Sequence, residues 1–438
     1  MNRRRALESG TVLSGGMALA ACGTPNGPPQ SAVVERATVR ALTRAAFEPE
    51  AWQMVTTDEQ AKVTVEVEQT DTGTDTTRYG RKILTLAASD SLPDVLYVHP
   101  IFFSSIASRK ILVDQEKLAN QQKFDIKGIQ KELLDANRWT DGKLYALPYS
   151  SVTGLIMVNA GLFRQRGVPV PAELEKAGKW DWEGFRDALR RLTLRGETEP
   201  VVGMPEHQRG LQYLTPWIYG NGGEVFSKDL KSVALDTPKA REALEYLAAL
   251  HFRDHVTVQP DEMELFGTTS TQRGFESGRV GVYFRASTEV SQIKPMADRG
   301  AQLAVAPVPK GPAGRQPRGA VNAWGIATSS KHPDAAFRAV SAWHRDPVLE
   351  NLFSKRSVFP ARAAHFEHPA FKAALYPWED VEVERASLRE VRFMATPDRF
   401  PEIDQEWNTI WGDALYGKRT VRDLLQEFVP LANNLLKT

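Results

Sequence analysis

The sequence predicts an α/β protein of two domains joined by extended crossings, and three observations lead there. Residues 36 to 100 alternate strand-like and helix-like text, the pattern of layered α/β architecture. The chain has 438 residues, long enough for two domains. Residues 139 to 159, WTDGKLYALPYSSVTGLIMVN, place two strand-like segments around a polar break. Asp141-Gly142 signals a turn, and Lys143 to Leu147 is a short extended segment that ends at Pro148. Tyr149-Ser150-Ser151 is polar with one aromatic, and Gly154 precedes the apolar run Leu155 to Val158. A pass between two domains, lined by ligand-contacting groups, has this form. A polar loop between two core strands of one domain has it too.

The chain begins Asn2-Arg3-Arg4-Arg5, followed by the small and apolar Thr11 to Ala21. That segment has the length of a signal-peptide core and is too short to span a membrane. Leu19-Ala20-Ala21-Cys22 matches the bacterial lipobox, and Cys22 is the single cysteine, so no internal disulfide forms. We expect residues 1–22 to be a lipoprotein signal peptide, with Cys22 as the lipid attachment site. Arg4-Arg5 leaves Sec and twin-arginine export both open. Residues 23–35, rich in Pro and Gly at their start, read as a flexible tether.

Ala37 to Leu42 reads as the first strand and the alternating Lys62 to Glu68 as the second, with a helix through Phe47 and Trp52 between them. Tyr79 to Ala88 has helical spacing, and Ser91 to Val98 ends in a third strand. Tyr97 and His99 stand at its carboxyl end, where open α/β sheets collect ligands; a surface histidine is the plainer reading of His99. Phe102 to Ser108 reads as a short helix.

The second portion is richer in helix. Asp181 is a good N-cap, and Trp182, Phe185, Leu189 and Leu192 repeat at helical spacing, which makes Trp182 a core residue. Trp217-Ile218-Tyr219-Gly220-Asn221-Gly222-Gly223 pairs aromatics with glycines that permit left-handed backbone and close approach. Trp217 and Tyr219 fit stacking platforms and core positions equally. The same glycines do not make a dinucleotide fingerprint. Thr237-Pro238 is a cap-then-proline helix start. Phe266 to Ser277 reads as a helix ending at Gly278, Val280 to Phe284 as a strand, and Leu303 to Pro309 as another. Arg285 then fits a contact to an acidic or strongly hydroxylated ligand, or a salt bridge between domains. Gly319 to Ala327 reads as a second crossing, Pro333 to His344 as a helix, and Val421 to Leu436 as the last helix. Trp407 and Trp411, one turn apart, read as packing residues.

Net charge is +1, so nothing electrostatic points to nucleic acid. The sequence has no phosphate loop, no G-x-S-x-G, no H-E-x-x-H and no paired cysteines. His365 and His368 read as a solvated turn, and we expect no metal and no cofactor.

One resemblance joins these pieces. Gly142-Lys143, Tyr145, Pro148-Tyr149, the strand to Asn159, Leu162-Phe163, Gly167-Val168 and Trp182 with Phe185 follow in an order that resembles the extracellular solute-binding proteins of ABC importers, family 1, the maltose-binding-protein-like branch. Two departures stand out: valine precedes Asn159 where relatives carry an aromatic, and Arg285 occupies a place often small or aromatic. The resemblance covers residues 36–438. It implies a two-lobed periplasmic-binding-protein fold (type II), each lobe a mixed sheet flanked by helices, with a cleft at the hinge. Lobe 1 would take 36–151 and 325–375, and lobe 2 would take 152–324 and 376–438. It implies a monomeric, non-enzymatic receptor, anchored outside the cell membrane, that closes on a mono- or oligosaccharide and delivers it to permease subunits. Glycerol phosphodiesters and polyamines are ligands of related receptors. The implied ligand-binding residues are Tyr97, His99, Tyr149, Ser150, Trp217, Asn221, Arg285, Asn322 and Trp324. An exported carbohydrate-active enzyme, hydrolase or lyase, is the competing expectation, because an acidic pair leaves no local signature. A structural lipoprotein without a cleft is the third.

Overall fold

The structure, a computed structural model, describes residues 35–437 except 73–74, 197–198, 206–208, 260–261, 263, 265 and 267–270. The expected signal peptide, Cys22 and nearly all of the tether lie outside the described residues.

Eight strands form one continuous, mixed sheet system. They are β1 (Ala37–Thr43), β2 (Val63–Gln69), β3 (Val95–Val98), β4 (Ala146–Asn159), β5 (Val282–Ala286), β6 (Leu303–Ala306), β7 (Gly319–Ile326) and β8 (Phe359–Pro360). β1 pairs in parallel with β2 and β3, and β3 pairs antiparallel with β7. All four residues of β3 are buried, as expected of a strand covered on both faces. β2 is the edge; Glu66 and Glu68 lie on it, and charge there discourages pairing with another chain.

β4 organises the rest. Its 14 residues serve two sheets in turn. From Ala146 to Thr153 it pairs with β7, and Ser150 and Ser151 also pair with β8. From Gly154 to Val158 it pairs with β5, and from Ile156 to Asn159 with β6. The break expected at Pro148 is therefore a bulge inside one strand: Pro148 faces Ala323, Ser150 faces Asn322, and Tyr149 is the extra residue. A proline has no N–H for the ladder, and a bulge is where a strand tolerates one.

Two hydrophobic cores sit on the two halves of β4. The first holds β1, β3, the helix Glu48–Thr57 and the helix Pro333–Ser341; Trp52, Tyr149, Trp324 and Trp343 pack at its centre. The second takes Ile156 and Val158 from one face of β4, while Met157 on the opposite face joins a smaller cluster with Phe275, Tyr283 and Ile293. That split is the period-two alternation of a strand buried on both sides. Apart from these lies a small apolar cluster, Val152, Ala286 and Ala320, and Ile101 packs against both cores. The chain crosses the seam between the two cores in β4, again in β7, and a third time over 376–398. The third crossing is drawn out. Trp378 and Val383 pack on the Met157 cluster, Leu388 and Phe393 on the first core, and Met394 on the second.

Local chemistry accounts for most helix starts. Asp75, Asp181 and Asn159 each accept a backbone N–H from the first turn they precede. Thr237 does not cap its helix; its hydroxyl donates back to the Ala234 carbonyl. The helix expected over Phe266 to Ser277 is described only as the short Thr271–Gly274 and the π-type turn Phe275–Arg279, with Gly278 at φ 80°. Trp407 and Trp411 stack at 5.0 Å in the second core.

Trp217 occupies the inside of the helix Leu211–Gly220 and is 1% exposed. Trp182, Phe185, Tyr246 and Phe284 surround it, all with ring centroids within 5.8 Å. We predict that Trp217→Ala lowers unfolding stability by ~3–5 kcal/mol through the cavity it leaves. Urea unfolding measures this; a loss below ~1 kcal/mol would show that the ring is not a packing element.

Candidate functional site

The site forms where the parallel strands end. The carboxyl ends of β1 and β3 lie side by side, and β7 pairs with β3 so that Tyr97 faces Trp324. The chain leaves β1 through Thr43 and Arg44 into the helix Glu48–Thr57. Glu48 is fully buried. One carboxylate oxygen accepts the backbone N–H groups of Arg44 (2.6 Å) and Ala45 (2.9 Å), and the other accepts the Tyr149 hydroxyl at 3.1 Å. Burial pushes this carboxyl above its ordinary value, against those hydrogen bonds and the Arg44 charge. Glu48 thus fixes the loop that presents Arg44.

Arg44 lies over the Tyr97 ring at 4.6 Å and donates to its hydroxyl at 3.4 Å. The Tyr97 hydroxyl donates to Asn322 Oδ1 at 2.7 Å. Burial moves the Tyr97 phenol up to about 12, so it stays a neutral donor. His99 caps the helix Pro100–Ala107: its Nδ1 accepts the Ile101 N–H at 3.2 Å. An imidazole whose Nδ1 accepts carries its proton on Nε2. Burial, then the charges of Arg44 and Arg318, hold His99 down to about 3. It is therefore a neutral Nε2–H donor at ordinary pH.

Across the seam, Arg285 and Arg318 line one small cavity of about 30 Å³ together with Tyr213 and Glu289. Arg285 pairs with Glu289 and donates to Gln292 Oε1 at 3.2 Å. It therefore bridges to its own flanking turn and not to the other lobe. Arg318 lies over the Tyr213 ring at 4.7 Å and donates to Gln212 Oε1 at 3.2 Å.

A larger cavity of about 590 Å³ opens beside His99. Phe103 and Trp139 line it from the first core and Leu230 from the second, with Pro100 and Lys228 beside them, and the crossing Val391–Thr396 closes one side. Phe103 and Trp139 meet edge to face at 6.1 Å. Thr396 Oγ1 donates to the Pro100 carbonyl at 3.0 Å, and Arg109 pairs with Asp398 at 3.2 Å, so this crossing latches one lobe to the other.

The expected residues divide sharply. Tyr97, His99 and Asn322 come together without lining either cavity, and of the nine only Arg285 lines one, the small one at the seam. Tyr149 lies one layer below, its ring against Trp324 at 5.3 Å and its hydroxyl on Glu48. Ser150 is fully buried under β8, where its hydroxyl accepts the Phe359 N–H at 3.2 Å. Trp324 is fully buried among Trp52, Tyr149 and Trp343. Trp217 is the core residue described above. Asn221 is buried, and its amide joins two helices by donating to the Lys239 carbonyl (2.7 Å) and Glu242 (3.0 Å). Those last four have no face turned to either cavity. The close approach of the nearby glycines is likewise to the chain itself: a Cβ on Gly223 would stand 2.7 Å from the Ala240 backbone. Tyr219 is covered by Arg392 at 3.9 Å.

Sequence pattern alone does not single out Arg44, Arg318, Phe103 or Trp139. Trp139 beside the Asp141-Gly142 turn carries a usable signal, a large aromatic in a loop. The two arginines carry none. Among the described residues no group of three or more His, Cys, Asp or Glu side chains could hold a metal. None of the described helices is long and apolar enough to cross a membrane.

A two-lobed mixed α/β fold with a cavity between its lobes defines the type II periplasmic binding proteins. The chain belongs to the bacterial extracellular solute-binding proteins, whose family profile matches residues 45–343. Its fold is similar to the ABC substrate-binding protein Lmo0181 of Listeria monocytogenes, solved with cycloalternan (TM-score 0.76, 19% identity, 92% of this chain and 100% of that one). It is similar to the sugar-binding protein MalE of Xanthomonas citri (0.75, 19%, 91% and 97%). It is also similar to UgpB of Mycobacterium tuberculosis, solved with glycerophosphocholine (0.74, 15%, 91% and 98%). No curated protein matches by sequence.

The lowered His99 value sets a pH dependence. Unfolded, His99 takes a proton near 6.5; folded, only near 3. Its contribution to stability is complete above 6.5 and is lost as pH falls through that window. We expect wild type to lose more stability than His99→Gln between pH 6.5 and 5 in matched urea titrations; equal slopes would contradict the assignment.

Proposed function

We propose that this protein is the lipid-anchored solute receptor of an ABC importer, closing two lobes over a small hydroxylated solute, a mono- or oligosaccharide or a derivative of one, and presenting it to permease subunits. The observation that carries the reading is the cavity of about 590 Å³ with walls from both cores and an aromatic pair on one of them. A sugar has apolar C–H faces and a rim of hydroxyls. Phe103 and Trp139 suit the faces. Arg285 and Arg318, in the small cavity at the seam, suit the rim.

The proposed bodies are residues 36–151 with 325–375, and 152–324 with 376–438, the last boundary being spread along the third crossing. Closure draws its free energy from contacts that exist only when both walls touch the solute. In this reading Cys22 is lipidated and holds the folded body at the outer face of the membrane, and the protein acts as a monomer without catalysis.

Two experiments test it. Thermal-shift and calorimetric titration with neutral and charged sugars should give saturable stabilisation, and product analysis should find the sugar unchanged. Appearance of cleaved product would favour an exported hydrolase or lyase instead, and no binding at all would remove the receptor reading. In an expressing bacterium, Cys22→Ala should move the protein from the membrane fraction to the soluble fraction. Retention in the membrane would sink the lipid anchor.

A further inference from the structure

The polar groups around the seam are unequal in sign. Arg285 and Arg318 line one cavity, and the only carboxylate lining it among the described residues is Glu289. Glu289 is engaged by Arg285. Arg318 is left with one hydrogen bond, to the neutral Gln212, and with the face of Tyr213; no carboxylate among the described residues pairs with it. Nearby Arg392 is paired with Glu224. On the facing lobe, Arg44 lies over the Tyr97 ring and donates to its hydroxyl. His99 adds a third kind of donor, since its Nδ1 is taken by the Ile101 N–H. The acceptor at this spot, Asn322 Oδ1, is spent on Tyr97.

A half-buried guanidinium without an anionic partner is costly to hold away from water. Natural arginines in that setting are usually paired, and the planar fork matches carboxylate and phosphate oxygens. The excess of cations is confined to this small cavity; the larger one is balanced, with Glu132, Asp135 and Asp229 against Arg138, Lys228 and Arg392. Arg318 also has a fixed position: it precedes β7 directly, and strand alternation puts it on the same side as Ala320 and Asn322.

We propose that the solute of this receptor is an anion, a phosphate or carboxylate carried on a hydroxylated carbon skeleton, and that Arg318 receives its charged group at the seam. The skeleton extends into the cavity lined by Phe103 and Trp139. This rests on the receptor reading and narrows it to one ligand class.

Matched probes test this by calorimetry on the purified protein: glucose against glucose 6-phosphate, glucose against glucuronate, and glycerol against glycerol 3-phosphate. The charged member of at least one pair should bind at least about tenfold tighter than its neutral partner, and the gap should shrink as salt is raised. The phosphate and carboxylate arms identify which group is received. Arg318→Gln should abolish the gap, and Arg318→Lys should keep part of it. If Arg318→Gln does not fold, the salt dependence of the wild-type gap decides instead: a gap that salt leaves unchanged would contradict the proposal. Neutral sugars binding as tightly as their charged partners would overturn the anion proposal and leave the receptor standing. Failure of every probe, charged and neutral, would overturn both.

Discussion

A single strand shared by two hydrophobic cores is the constraint on which this structure turns. β4 gives its first half to β7 and β8 and its second half to β5 and β6. A strand is stiff along its length, so the two sheets are held in a defined relation. Among the described residues a cluster of three small apolar residues, Val152, Ala286 and Ala320, sits at the join, and Ile101 touches both cores. Large rings stay on either side of it: Trp324 and Tyr149 belong to one core, and Trp217 and Phe284 to the other. A lightly packed seam between two dense bodies is where a fold can bend without breaking a core.

The same arrangement explains why chemistry gathers at the seam. Parallel strands β1 and β3 end there, and their loops lift Arg44 and His99 out of the sheet. Glu48 is the internal brace. Its carboxylate takes the N–H groups that the turn after β1 leaves open, and Tyr149 holds it from below. Burial of that carboxyl, unfavourable in isolation, is only partly offset by three hydrogen bonds and the neighbouring guanidinium, so it stays above its ordinary value. The aromatic residues divide accordingly into those that build the bodies and the few, Phe103, Trp139 and Phe393, that reach the cavity.

Much of this is legible in the chain. Strands β1 to β3, the capped helix after Asp181 and the paired Trp407 and Trp411 all follow from spacing and local chemistry. The order of short motifs around 142–185 points to the family. What fails has physical causes. Pro148 reads as a strand end because its missing N–H is a local fact, whereas the bulge that absorbs it depends on β7, far away in sequence. Trp217 looks like a platform because glycines follow it, yet the helix that carries it turns the ring into four other aromatics. Arg44 and Arg318 stand in unremarkable text; only the pairing of β3 with β7 brings their surroundings together.

The central claim is mechanical, and a distance distribution reads it directly. Spin labels on cysteines introduced at Asp135 and Lys228, in a Cys22→Ala background, report across the cavity that both residues line. Pulsed dipolar spectroscopy should give a broad or longer distance in the free protein and a single shorter one when a bound solute is present. One unchanged distance in both states would mean that β4 and β7 join two halves of a rigid body, and the account of a closing receptor would be wrong.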